Sequence, residues 1–380
     1  MRILLFDAEC TFKKATGHFG DLRDKLVCIA WGVIGESRHC VLPEPASLSR
    51  LQEEIDKADL IIGFNIKYDI HWLRRYGVYV PFNKRIWDVQ IAEYILRYQR
   101  DKYLSLQQTC EGHDIPGKLD VVKLEYWDKG IDTDAIPFDV LSKYAVQDIA
   151  ATEQCYFKQL ELLDEARQRL VIYSGKDLLV LQEMEWNGLI YDPELCKQRA
   201  KECETRIVSI QGLLQQVYPD IPINFGSPQQ LSAFLYGGII EEEYKEHVGF
   251  FKSGIKAGQP KYANRLREHI LPRLVEPLPK SEMAKKGVFS TAEDTLLKLR
   301  GTAAKKYVAP LLELSKQEKL LQTYYRGIPK INEEHRWRDS TIHGTINQAT
   351  TITGRTSATQ PNQQNFAGEC QDIFITRYDT

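Results

Sequence analysis

The chain has 380 residues, 43% of them hydrophobic and 27% charged, and its 50 Lys and Arg nearly balance 52 Asp and Glu. That length supports two or three domains with proper cores, and the composition excludes a disordered or fibrous chain. No apolar run reaches the roughly 20 residues of a membrane span, and a chain that opens directly into a strand is expected to carry no signal peptide. Eight scattered cysteines, with no C-x-x-C and no paired histidine spacing, argue for reduced thiols in the cytoplasm and against a zinc site.

Residues 3–6 form a short, wholly apolar run, the pattern of a strand buried on both faces, and they lead straight into Asp7-Ala8-Glu9. Strand period two puts the carboxylates of Asp7 and Glu9 side by side, where they need a cation, a shared proton or solvent. For a lone Asp-x-Glu the commoner explanation is a strand running out into water. Residues 26–33 and 38–42 read as further strands, 47–57 as a helix, and 60–65 as a buried strand followed by a helix over 66–76. Helices are expected over 87–97, from Ser105 onward, and over 141–166. Strands first, then helices alternating with buried strands, define an α/β domain ending near residue 165.

Beyond residue 170 helices dominate, at 175–186, 193–218 and 292–326, the last interrupted at Gly301 and Pro310. Between them, residues 237–288 are rich in Lys, Gly and Pro with little apolar periodicity, so a connecting insertion or mobile lobe is expected. Residues 342–380 return to short β-like runs, and 371–378 alternate apolar and polar residues as if entering a strand whose neighbour is absent. Charge is unevenly divided. Residues 251–326 hold sixteen Lys and Arg against seven Asp and Glu, leaving 34 basic and 45 acidic residues elsewhere. Such asymmetry hints at nucleic acid on the basic part, although a charge run is usually a solvated face.

Three spacings bear on chemistry together. Asp7 and Glu9 share a strand face, Asn65 and Asp69 stand four apart where a buried strand hands over to a helix, and Tyr144 and Asp148 stand four apart on a later helix. Separately, Asn65 is an ordinary N-cap and Tyr144 with Asp148 a polar stripe. Jointly, such a set suits phosphodiester hydrolysis, in which two hard divalent ions about 4 Å apart clamp the attacking and leaving oxygens. The arrangement resembles the DEDD-type 3′-5′ exonucleases with a tyrosine in the last motif, the proofreading domains of DNA polymerases, over residues 1–165. That resemblance implies an RNase H-like fold and two Mg²⁺ or Mn²⁺ ions. It makes Asp7 the bridging ligand, with Asp148 on the nucleophile-side ion and Asp69 on the other, and it has Glu9 and Tyr144 orienting the attacking water. Asp88 matches an acid that opens a helix and is expected to be structural. Phe12 is placed to wedge against a terminal base.

The second half looks like family A DNA polymerases in the expected order. The stretches 184–192 and 224–231 resemble the thumb, residues 319–324 the end of its long helix, and Thr353-Gly354-Arg355-Thr356-Ser357-Ala358 with Pro361-Asn362-Gln363-Gln364-Asn365 the opening of the palm. Thr356 and Gln363 stand where the family has leucine. The resemblance implies primer-template contact by Arg355, Asn362 and Gln364, with Arg355 in the minor groove, where acceptors common to every base pair allow contact without sequence choice. Asn65, Lys305 and Lys306 complete the candidate DNA contacts. The implied organisation is an exonuclease domain at 1–165, a thumb at 166–335 with a basic insertion at 237–288, and the start of an α/β palm at 336–380.

No Asp-x-Ser-x-x-Glu, Arg-x₃-Lys or His-Asp-Glu motif follows Asn365. Palm and fingers are therefore expected either on a second polypeptide, the partner in a split polymerase, or on the remainder of a longer chain. By resemblance to phage members of the family, a processivity factor is expected at the thumb insertion. The expected setting is a bacterial host cytoplasm, and no membrane partner is expected. Two other functions compete: a free-standing RNA exonuclease of the same superfamily, and a DNA-binding scaffold with a vestigial nuclease.

Overall fold

The chain begins with β1 (Ile3–Cys10), β2 (Leu26–Val33), β3 (Arg38–Val41), α1 (Pro45–Lys57), β4 (Leu60–Gly63), α2 (Ile66–Arg75), β5 (Arg85–Asp88) and α3 (Val89–Leu96). In the computed structural model, which describes residues 1–101, 104–116, 121–299 and 301–377, the five strands form one sheet ordered β3-β2-β1-β4-β5. β1 sits at its centre, antiparallel to β2 and parallel to β4. The strand does not stop at Phe6 as the apolar run suggests. It carries Asp7 and Glu9 inside the sheet, because both keep backbone partners in β2 up to an irregularity at Glu9 and Cys10. Leu4, Leu5, Phe6, Ile61 and Ile62 are almost wholly buried and, with Leu51, Ile55 and Trp72, anchor the main core.

After α4 (Leu106–Gly112) and α5 (Val121–Glu125), two long helices follow, α6 (Phe138–Leu162) and α7 (Glu165–Asn187). The single helix expected over 141–166 is thus two. The chain is extended at Leu163, and Asp164 caps the new helix by accepting the Arg167 N–H at 2.8 Å. The helix expected over 87–97 is also shorter. Its first residues form β5, which pairs with β4 through Trp87 and Asp88. Helix α7 crosses β5 at Gly175, where any Cβ would stand 2.4 Å from the Ile86 carbonyl oxygen, so only glycine lets the helix lie so close.

By contacts the chain divides into two units, Met1–Pro193 with Ile328–Thr380, and Glu194–Gly327. Within the second unit lie most of α8 (Pro193–Gln215), then α9 (Pro228–Tyr236), β7 (Gly238–Phe250), β8 (Pro260–Leu271), α10 (Glu293–Leu296) and α11 (Thr302–Lys319). Phe234, Leu235, Tyr236, Leu311 and Leu314 make its core. The segment 237–288 is not the irregular lobe expected. β7 and β8 pair antiparallel over twelve residue pairs. Apolar periodicity missed this hairpin because both its faces are largely solvated. Polar pairs join its strands, Arg265 to Glu246 as an ion pair at 2.7 Å and His269 to Glu242 as a hydrogen bond at 2.8 Å. Pro310 does not interrupt α11 as expected but sits inside it, and the helix passes into a π turn over Leu320–Tyr325.

The chain re-enters the first unit with α12 (Gly327–His335). A strand β6 (Leu189–Tyr191) that follows α7 is flanked by β9 (Thr341–Ile342) and β12 (Phe374–Ile375), while β10 (Thr345–Asn347) pairs with β11 (Ser357–Thr359). The strand expected in 371–378 therefore has a partner, with Phe374 opposite Tyr191 and Ile375 opposite Ile190. Tyr378 lies outside the described residues. Ile342, Ile346, Ala358, Cys370 and Ile373 are buried, so this tail has its own packing.

Candidate active site

Asp7 and Glu9 share a face of β1 with the residues directly opposite on β2, Ala30 and Cys28. Both of these are small, and α6 packs where they leave room. Ala30 meets Ala145 and Ile149, while Cys28 meets Leu141 and Tyr144. Small residues on both sides let α6 lie close to the sheet, and Asp148, one turn beyond Tyr144, reaches the strand acids. Ligand oxygens of Asp7, Glu9 and Asp148 all lie within 4.8 Å of one another. Glu9 and Asp148 are buried and Asp7 half-buried.

Asp69 is outside this trio but abuts it. Its Oδ1 accepts the backbone N–H of Ala8, between the two strand acids, at 2.9 Å. Burial, followed by the charge of Asp7, pushes the Asp69 carboxyl well above the usual range, against the pull of that N–H. The pocket thus crowds several acidic groups together. Its donors are hard carboxylate oxygens, the set that holds Mg²⁺ or Mn²⁺.

Asn65 occupies the N-cap position of α2 in a left-handed conformation, φ 52°, and its side chain makes no capping bond. Asp88 does that work. Buried at the end of β5, it accepts N–H groups from Asn65 and Ile66 on one side and from Gln90 and Ile91 on the other, at 2.8–3.3 Å. One carboxylate therefore caps α2 and α3 together and leaves the exposed Asn65 amide available.

Tyr144 is buried, with its ring edge-on to Trp127 at 5.5 Å, and Trp127 stands edge-on to Phe12 at 5.6 Å. The loop after β1 that carries Phe12 is fixed by Asp132, a residue the sequence did not single out. Its carboxylate accepts N–H groups of Phe12, Lys13 and Lys14 at 3.1–3.2 Å. Asp132 precedes a helical turn and caps it through Thr133 N–H, the one local signal it offered.

Arg355, Asn362 and Gln364 are all exposed, as are Lys305 and Lys306 on α11 of the other unit. Thr356, at the position of a family leucine, accepts the Gln364 side-chain amide at 2.6 Å, so a polar pair replaces apolar support. Asn362 Oδ1 accepts the Gln364 backbone N–H at 3.2 Å.

Comparison with known proteins finds two matching families. Residues 18–163 match the family described as 3′-5′ exonuclease, and residues 261–377 match DNA polymerase family A. The chain is 26% identical over 327 residues to DNA polymerase I of Pseudomonas aeruginosa, covering 82% of this chain and 30% of that protein. It is 24% identical to the DNA polymerase of Bacillus phage SP01, over 87% of this chain and 36% of the relative. The Aquifex aeolicus DNA polymerase I is 23% identical, with 83% and 47% covered. The chain thus spans between 30% and 47% of the length of these relatives. Among solved structures, the POL domain of Pol1 from M. smegmatis in complex with DNA primer-template and dNTP shares the fold, with a TM-score of 0.67 at 17% identity over 98% of this chain and 55% of that one. The chain thus carries a segment similar to the 3′-5′ exonuclease family, followed by one similar to DNA polymerase family A.

Proposed function

We propose that this chain removes nucleotides from DNA 3′ ends in a metal-dependent hydrolysis, as the proofreading part of a replicative polymerase. The approach of Asp7, Glu9 and Asp148 to within 4.8 Å, from a central strand and a helix laid against it, carries this reading. Asp7, Glu9 and Asp148 would hold two Mg²⁺ or Mn²⁺ ions, with Asp69 behind Ala8 completing the acidic wall. Bound divalent ions supply an activated water and offset the charge of the scissile phosphate. Glu9 and the Tyr144 phenol orient that water. Asn65 contacts the strand entering the site, and Phe12, braced on Trp127, stacks against its end.

Arg355, Asn362 and Gln364 face primer-template duplex, and Lys305 and Lys306 lie along its phosphates. The functional division is exonuclease at 1–165, thumb at 166–335 and palm start at 336–380. Primer extension needs the Asp-x-Ser-x-x-Glu and His-Asp-Glu motifs, which are not among these 380 residues. Reduced cysteines favour the cytoplasm, and no helix among the described residues is long and apolar enough to cross a membrane.

The deciding measurement is digestion of 3′-labelled single-stranded DNA with Mg²⁺, with EDTA, and by Asp7→Ala. Loss in both controls is expected. Digestion that survives either one refutes the site.

A further inference from the structure

The hairpin of β7 and β8 divides its charge along its length. Near the body of the unit it is acidic. Glu241 stands directly opposite Glu268, a like-charge pair, with Glu242 and Glu243 beside them. Between His247 and Arg267 the chain holds five basic residues and no acid. Arg265 and Arg267 answer stem glutamates. Lys252, Lys256 and Lys261 are exposed at the tip, and none of the three has an ion-pair partner among the described residues.

Aromatic rings sit among these lysines on the outer surface. Phe250 is 59% and Tyr262 56% exposed, and His247 touches both edge-on, at 5.2 and 5.5 Å between ring centres. The turn that presents them is an ordered loop, closed by Phe251 N–H to Gln259 at 3.0 Å and Gly258 N–H to Phe251 at 2.8 Å. Seven residues at about 3.4 Å each put the tip about 24 Å from Glu243. That is more than two screening lengths at physiological salt, so the acidic stem does not cancel the basic tip.

Cations without acidic partners, interleaved with exposed rings and carried on an acidic stalk, suit a polyanion whose flat groups are free to stack. We propose that the hairpin tip binds single-stranded DNA, with bases stacking on Phe250 and Tyr262 and phosphates on Lys252, Lys256 and Lys261. Duplex DNA offers the phosphates but keeps its base faces stacked, and the acidic stem rejects a duplex laid along the ribbon. The proposal rests on this chain acting on DNA and adds a contact outside the nuclease cleft. An acidic protein partner is the competing occupant.

The test is fluorescence anisotropy of labelled oligothymidine with the full chain in EDTA buffer, across a salt series. Replacing the three lysines by glutamine is expected to lower the slope of log affinity against log salt by about 2, since each single-strand phosphate contact contributes roughly 0.7. Phe250→Ala with Tyr262→Ala is expected to weaken binding about tenfold or more while leaving that slope intact. Changing the lysines to arginine should preserve binding. Mg²⁺-dependent digestion of a short 3′-labelled oligonucleotide should be unchanged in all these variants. Tight binding by wild type that neither set alters would overturn the tip contact and leave the nuclease reading standing. Absence of both binding and digestion in wild type would remove both. Weakening by the lysine set alone, equal on duplex and single strand, would overturn stacking and the single-strand preference.

Discussion

Asp88 shows how one side chain governs two helices at once. Burial raises its carboxyl pKa, while four backbone N–H groups from α2 and α3 pull the other way. Asp88→Ala would strip these helix starts of their shared acceptor and leave buried donors unpaired. A loss of about 3 kcal/mol is expected in urea unfolding, with reduced nuclease activity because Asn65 and Asp69 ride on α2. Stability within 1 kcal/mol of wild type would show that water replaces the carboxylate. Tyr144→Phe probes a different dependence. The ring keeps its contact with Trp127, so stability should hold, while a lost water-orienting hydroxyl should slow digestion on the order of tenfold or more. Unchanged digestion would take Tyr144 out of the chemistry. The helix-opening place of Asp88 was legible in the sequence. Asp132 was not, because the donors it gathers lie about 120 residues away in the chain.

The packing of α6 on β2 sets the distance from Asp148 to the strand acids. Ala145 and Ala30 are both fully buried where helix and sheet meet. Ala145→Leu would force extra methylenes into that contact, at a cost of about 1–3 kcal/mol. It would also lift Asp148 away from Asp7. Activity should therefore fall by far more than the stability loss explains at a temperature where the variant remains folded. Equal activity would show that α6 tolerates a wider spacing. At this scale the sequence was readable where burial is one-sided or complete, as in β1, β2, β4 and α2. It failed where periodicity carries no information. β5 is four residues long and runs directly into α3, and the hairpin of β7 and β8 is solvated on both faces. Alternation in 371–378 announced a strand of which only Phe374 and Ile375 form one, residues 371–373 ending a 3-10 turn, and nothing local showed that its partner is β6, more than 180 residues earlier.

The first unit is tied together by a junction of buried and half-buried histidines and aromatic rings drawn from both ends of the chain. Glu185 on α7 takes the Lys67 ammonium, His71 Nε2 at 2.6 Å and the Ile346 N–H, so α2, α7 and β10 meet on one carboxylate. Beside it, Phe19 stacks on His71 at 3.9 Å, and His18 Nδ1 accepts N–H groups from Gly20 at 3.0 Å and from Trp337 at 3.2 Å. Two donors converging on one nitrogen require it to be unprotonated. Burial is the leading cause that holds His18, His71, His335 and His343 below the ordinary histidine value, His18 furthest among them. Asp21 and Glu185 pull upward on their neighbours, while Lys67, Arg74 and Arg377 push down. The sign follows from linkage. A histidine whose folded pKa is depressed gives its full stability above the unfolded value near 6.5, and that stability is lost as pH falls below it, because the unfolded chain takes the proton first. Each such group contributes a slope of up to about 1.4 kcal/mol per pH unit. Glu185 acts in a lower window. Burial raises its pKa, but His71 and Lys67 more than offset this, so its contribution is lost only as pH falls below its ordinary range near 4.5. These four histidines should therefore cost the chain stability between pH 6.5 and 5.5, above the window in which Glu185 titrates. Urea midpoints at pH 7.5 and 5.5 measure this, and His18→Gln, which cannot take up a proton, should shrink the difference. A midpoint that stays constant across that interval would mean that these four histidines are hydrated and titrate normally.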